Sequence, residues 1–271
     1  HQRMAVLADG SFVVTWMDIG GAGGDASSYA IKAQRYSAEG APLGSEFLVN
    51  TAVDGTQEIP EIVALSTGGF AISWQDGSQG VGGAGGDNSG YAVKAQVFDA
   101  LGAPVGGEIR VNTSTANSQY EQTMTALGNG RFVVTWLSYA SGNEDIHAQV
   151  FEASGAPVGS EIAVNTTLTG TQHQPYITAL ADGGFVVTWR DDSTTGGDTS
   201  SSAVRAQVFD ADGDAVGAEI LVNTTTLNNQ AQFSDTGRIQ PHSPIAALAG
   251  GGFVVVWNDY SQSGGDTSGN A

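Results

Sequence analysis

An all-β chain of short antiparallel meanders is the fold class this sequence predicts, and three observations carry it. One nine-residue text recurs five times: ADGSFVVTW ending at Trp16, STGGFAISW at Trp74, GNGRFVVTW at Trp136, ADGGFVVTW at Trp189 and AGGGFVVVW at Trp257. The steps between these tryptophans are 58, 62, 53 and 68 residues, the period of a repeat architecture. No apolar pattern of helical period breaks the text, and 39 glycines suit a chain of tight turns. Sheets of this kind, covered on both faces, pack around an axis. The prediction is a β-propeller of four-stranded antiparallel blades, with four complete repeats and a partial fifth.

Each repeat reads the same way. An inner strand a, such as PEIVAL (60–65) or PYITAL (175–180), runs into a Gly-rich turn. Strand b follows, as in Phe185–Trp189, where Phe185, Val187 and Trp189 face one side and Val186 and Thr188 the other. Strand c carries an Ala-Gln pair, as in AVRAQVF (203–209), and strand d ends in VNT. The units span 1–51, 58–113, 119–166 and 172–224, with a partial unit over 244–271 that stops after two clear strands. The sequence is therefore expected to be a piece of a longer repeat protein. The tryptophans are expected to wedge neighbouring blades apart, each burial contributing roughly 2–3 kcal/mol. Gln34, Gln96, Gln149 and Gln207 are expected to satisfy backbone groups between blades.

Composition excludes several functions. With 9 basic and 28 acidic residues the net charge is −19, which repels a phosphate backbone, so nucleic acid is not an expected partner. No apolar run is long enough to span a bilayer, so no membrane insertion is expected. The absence of cysteine rules out disulfides, thiolate metal sites and a Cys nucleophile.

Loop lengths point to a functional face. The a–b and c–d turns hardly vary, whereas Trp and the Gln of the next strand are separated by 18, 22, 13 and 18 residues. The b–c and d–a loops gather at one end of a propeller, and variable loops on a rigid scaffold are where binding resides. Those b–c loops pair an acid just after Trp with a later one: Asp18 with Asp25, Asp76 with Asp87, Asp191 with Asp198, and Asp259 with Asp266. The third loop has Ser138 and then Asn143, Glu144 and Asp145. Carboxylates beside glycine carbonyls are candidate ligands for Ca²⁺; the alternative is a solvated turn in which Asp caps amides. Tyr29, Tyr91, Tyr139 and Tyr260 lie on the same loops and are candidates for stacking on sugar rings, or else edge packing.

GGAGGD at 20–25 and again at 82–87 resembles the core of hemolysin-type (RTX) calcium repeats. The wider text, FDADG to VNTTT to LADGGFVVTW, is similar to repeat arrays of large secreted bacterial proteins assigned to that family. The resemblance implies calcium and a secreted or cell-surface bacterial protein. RTX sites are shared between turns of a β-roll, so isolated copies imply a different geometry. DADGD (210–214) resembles the opening of an EF-hand-type loop but reads better as a c–d turn, since other blades lack its acids.

No serine elbow, zinc-binding helix motif or phosphate loop is present, and the four histidines are scattered. Acids abundant on the loop face leave a glycosidase pair open without marking one. The sequence alone therefore predicts a non-catalytic, secreted binding or adhesion module for an extracellular glycan or cell-surface component. The alternatives are a propeller-type glycosidase or lyase, and a structural spacer array.

Overall fold

The computed structural model describes residues 1–20, 29–78, 89–139, 142–197, 199, 202–224, 226, 228, 230–231 and 244–260. It is an all-β propeller. Blade one contains β1 (Gln2–Val6), β2 (Phe12–Asp18), β3 (Ala30–Tyr36) and β4 (Phe47–Leu48). Blade two contains β5 (Gln57–Ala64), β6 (Phe70–Asp76), β7 (Ala92–Phe98) and β8 (Pro104–Arg110). Blade three contains β9 (Gln119–Ala126), β10 (Phe132–Ser138), β11 (Asp145–Phe151) and β12 (Pro157–Ala163). Blade four contains β13 (Gln172–Ala179), β14 (Phe185–Asp191), β15 (Ala203–Phe209) and β16 (Ala215–Leu221). Each is an antiparallel meander in sequence order.

The fifth unit starts earlier than its text suggests. β17 (Gln230–Ala231) pairs with β20 (Asn258–Asp259), and β18 (Ile245–Ala247) pairs with β19 (Phe253–Val255). β17 and β18 thus pair with two successive segments, β20 and β19, that follow the fifth Gly-rich turn.

Burial follows the meander. Strands b and c of blades two to four are almost wholly buried, whereas the d strands face outward and stay exposed. Trp74, Trp136 and Trp189 are completely buried. Trp136 packs with Phe132 and Val134 against Ala71, Val93, Ala95 and Val97 of blade two, as a wedge between blades should. Trp16 and Trp257, in the first and fifth units, are only half-buried. Glycine sits in the left-handed position of every a–b turn, from Gly10 at φ 83° to Gly68 at φ 99°, which explains its repetition there.

Two polar devices join the blades. Asn112 at the end of blade two accepts the Val93 amide and donates to Gln119 at the start of blade three. Asn50 with Gln57, and Asn165 with Gln172, repeat the contact. The following threonine clasps the next blade: Thr51 bonds Glu108, Thr113 bonds Glu161 and Thr166 bonds Glu219, each through amide and hydroxyl. The VNT signature is therefore an inter-blade latch. The Ala-Gln glutamines work differently from expectation. Gln96 donates to Val97 and Val105 carbonyls inside its own blade, where the c–d register shifts, and Gln149 does the same with Val150 and Val158.

Candidate functional site at the axis

The acid that follows each Trp has a partner. Asp76 lies 2.9 Å from Lys94 on strand c, which reaches Glu108 on strand d at 2.8 Å, all three side chains buried. Asp76 also accepts from Gln57 and from the amide and hydroxyl of Ser78. Blade one repeats the arrangement with Asp18, Lys32 and Glu46, and blade four with Asp191, Arg205 and Glu219. Asp259 accepts from Gln230. Blade three is the exception: Ser138 replaces the acid and His147, in place of the cation, contacts Glu161 at 2.7 Å. Burial opposes it, but His147 and the Thr113 hydroxyl and amide hold the Glu161 carboxyl below its usual range.

Asp18, Asp76 and Asp191, read as calcium ligands, are thus held by strand c cations. Their loop counterparts Asp25, Asp87, Asp198 and Asp266 lie outside the described residues. Among the described residues no group of three or more His, Asp or Glu side chains is arranged to hold a metal. Of the loop tyrosines, Tyr139 is exposed, while Tyr29, Tyr91 and Tyr260 are half-buried. Backbone carbonyls of Tyr29 and Tyr91 receive the amides of Gln57 and Gln119, anchoring the next inner strand.

The structure assembles a different group, on the inner strands. Each of β5, β9 and β13 has a bulge near its start, with Ile59, Glu121 and Gln174 at φ 54°, 54° and 57°. Left-handed backbone is unfavourable for such residues, most of all for β-branched Ile59, and strain of this kind clusters at working sites. Bulges also re-aim side chains. These lie at the end of the axis where the b–c and d–a loops meet.

Just below the bulges, one register level reads Arg3, Glu61, Thr123 and Tyr176 in successive blades, each opposite the Ser or Thr that precedes Trp. Arg3 Nε and Nη2 both contact Glu61 Oε1 at 2.8 Å across the blade boundary. Burial raises the Glu61 carboxyl above its ordinary value, and Arg3 pulls it part of the way back. Burial raises the Tyr176 phenol, and the charges acting on it are Glu121, Glu61 and Arg3, from three other blades.

Among the described residues no Lys or Arg forms an ion pair with Glu121. Its side chain meets water at the mouth of the axis, yet protein crowds it enough that desolvation raises its carboxyl. The Gln174 amide at 3.1 Å and the His173 ring oppose the shift, while Glu144 adds to it. Tyr120 donates to Glu144 at 2.5 Å; burial and that carboxylate push its phenol upward. Two carboxyls on neighbouring inner strands are therefore differentiated, one salt-bridged and one without a fixed cation. Such a pair can divide acid and base work.

Sequence reading missed Arg3, Glu61, Glu121, Tyr120 and Tyr176. A signal existed for Arg3, Glu61 and Tyr176 alone: at their level four blades carry four different side chains.

No family model and no curated protein matches the chain. Solved structures do. An α-L-arabinanase of Penicillium chrysogenum complexed with arabinobiose aligns at TM-score 0.54 and 17% identity, over 90% of this chain and 69% of that one. An α-L-arabinofuranosidase of Fusarium graminearum, complexed with an iminosugar inhibitor, aligns at 0.54 and 11%, over 84% and 68%. A Dyadobacter fermentans protein of unknown function aligns at 0.52 and 12%, over 81% and 68%. At such identities the likeness shows the propeller fold. Against the expectation of a non-catalytic chain, two of these three neighbours are an arabinanase and an arabinofuranosidase, and the acids at this axis are unequal where the sequence marked no pair.

Proposed function

We propose that the chain is a propeller-type glycosidase that cleaves a glycosidic bond at the mouth of its axis. The observation that carries the reading is the unequal pair. Glu121, desolvated and lacking a fixed cation, is the proton donor to the leaving oxygen. Glu61, held by Arg3, is the carboxylate that opposes it. The charges of both carboxylates act on the Tyr176 phenol, and Tyr139 stands exposed on the loop after β10. A glycan partner is supported by the sugar-bound arabinanase and the inhibitor-bound arabinofuranosidase of the same fold. An extracellular bacterial setting is supported by the repeat resemblance. Calcium would need ligands other than Asp18, Asp76 and Asp191, which are paired with Lys32, Lys94 and Arg205.

The test is release of reducing sugar from arabinobiose and from a panel of neutral polysaccharides. Parent protein should release it, and Glu121→Gln should lower the rate by about 100-fold or more, the usual worth of a general acid. No release from any substrate, or full activity in the variant, would overturn the reading.

A further inference from the structure

The outer half of blade four lacks contacts that every earlier blade receives from its successor. At the earlier junctions the d strand of one blade leans on the c–d turn of the next. Ile109 and Ile162 fill the space over Gly155 and Gly213, where an added Cβ would lie 2.6 Å from the isoleucine Cδ1. Val105 and Val158 on the same strands pack against those neighbouring blades too. In blade four the equivalent side chains face solvent, Ile220 at 40% exposure and Val216 at 54%. The latch is left over as well. Thr224 stands where Thr51, Thr113 and Thr166 clasp the glutamate of the next d strand, and among the described residues no glutamate meets it.

The fifth unit borders this gap with an open edge. In blades one to four, strand b pairs with strand c in one register, Trp opposite Lys32, Lys94, His147 or Arg205, and Phe opposite an aromatic ring. The facing rings stack with centroids 5.0 to 5.2 Å apart. The fifth unit repeats the text with Phe253, Val255, Trp257 and Asp259. Its β19 and β20 pair with β18 and β17 along one edge, and among the described residues no strand pairs along the other. Phe253 and Val255 already pack on Val186 and Ala206 of blade four, so a strand added beyond them would lie over Val216 and Ile220.

We propose that this corner is a docking site for a β-hairpin of a partner chain that carries the c–d text of this repeat. Its first strand reads Ala-Val-Lys-Ala-Gln-Val-Phe or close to it, and its second bears a Glu-Ile pair after a glycine turn. Each feature has a recipient. The aromatic ring stacks on Phe253, and the cation lies opposite Trp257 beside Asp259, which holds the place of Asp76. The turn glycine receives Ile220, and the glutamate accepts the Thr224 amide and hydroxyl. Strand addition to an open edge supplies main-chain bonds, and such side-chain sites supply the choice of sequence. The corner stands apart from the axial carboxyls, so it serves whether or not the chain cleaves glycans.

The probe is a fluorescent synthetic peptide with the sequence of residues 92–113, added to the full chain and followed by anisotropy. Saturable binding is expected, with a scrambled peptide of the same composition weaker by about tenfold or more. Ile220→Asp should weaken binding by about tenfold. Thr224→Val in the chain and Glu108→Gln in the peptide should each weaken it by about threefold or more. Together they should cost less than the product of the two, since both break one latch. Both chain variants alter surface side chains and should melt with the parent. No saturable binding, equal binding of the scrambled peptide, or binding indifferent to Ile220→Asp and Thr224→Val would overturn the proposal. So would self-association of the chain that Ile220→Asp disperses, which would make a second copy the occupant.

Discussion

The outer ring of acids and the inner ring of acids use the same side chains to opposite ends. On strands b and d, Asp76 and Glu108 are clamped by Lys94, and the same triad recurs in blades one and four. On the inner strands, Glu61 and Glu121 occupy non-repeating positions, and burial raises both. Where a repeat keeps an acid, the acid ties the strands of its own blade together, and its d-strand Glu also takes the threonine latch of the blade before. Where the repeat breaks, the two acids differ, Glu61 held by Arg3 and Glu121 not, and acids with perturbed carboxyls are candidates for chemistry. Blade three sharpens the contrast inside the outer ring. It has lost the Asp, and its cation has become a histidine, as if one partner could not be kept without the other.

The largest effect should come from breaking the outer ring. Lys94→Met would strand two buried carboxylates and should cost about 3–5 kcal/mol, the range for removing one partner of a buried pair. His147→Met leaves only Glu161, still latched by Thr113, and should cost less. Chemical denaturation of both variants beside the parent decides; equal losses would mean that the missing Asp in blade three is without consequence.

The latch should matter less. Thr113→Val removes the hydroxyl bond to Glu161 and keeps the amide bond, so a loss of about 1 kcal/mol is expected. Thr166→Val in the next junction should match it. A loss several times larger at one junction would show that the latches are not equivalent.

The smallest effect has the most informative sign. Glu161 has a folded carboxyl below its unfolded value, so it contributes stability above the ordinary carboxylate range, and loses it as pH falls through the lowered value. Glu121 is raised, so its ionised form costs stability at neutral pH, and that cost disappears as pH falls through the raised value. Glu161→Gln should therefore lower the melting temperature at neutral pH, and Glu121→Gln should leave it unchanged or raise it. At acid pH both variants should approach the parent. A neutral-pH loss in Glu121→Gln equal to that in Glu161→Gln would place Glu121 in the scaffold.

The fold was legible because repetition is a scaffold signal. Five copies of one Trp-ended strand, glycine at the left-handed turn position and the VNT ending each answer a local demand that every blade shares. The candidate site was not legible for the same reason. Asp76 and its equivalents stood out because they repeat, and they proved to be partners of Lys94 and its equivalents, whose roles depend on cross-strand register. Glu121 and Glu61 lie in a text that reads as plain strand, and only the bulges and the ring of blades bring them near Tyr176. The pairing of Gln230 with Asp259 begins before the 244–271 bounds of the fifth unit, where the repeat text carries no strand signal.

On the proposed glycosidase reading, repeated acids hold the fold and the unrepeated Glu121 is the proton donor. That division is tested most directly by measuring melting temperature and sugar release in parallel for Glu108→Gln and Glu121→Gln. The account predicts a crossed result. Glu108→Gln should melt well below the parent while retaining hydrolysis at temperatures where it is folded, and Glu121→Gln should melt with the parent and lose hydrolysis. A Glu121→Gln protein that hydrolyses normally, or that melts as low as Glu108→Gln, would contradict it.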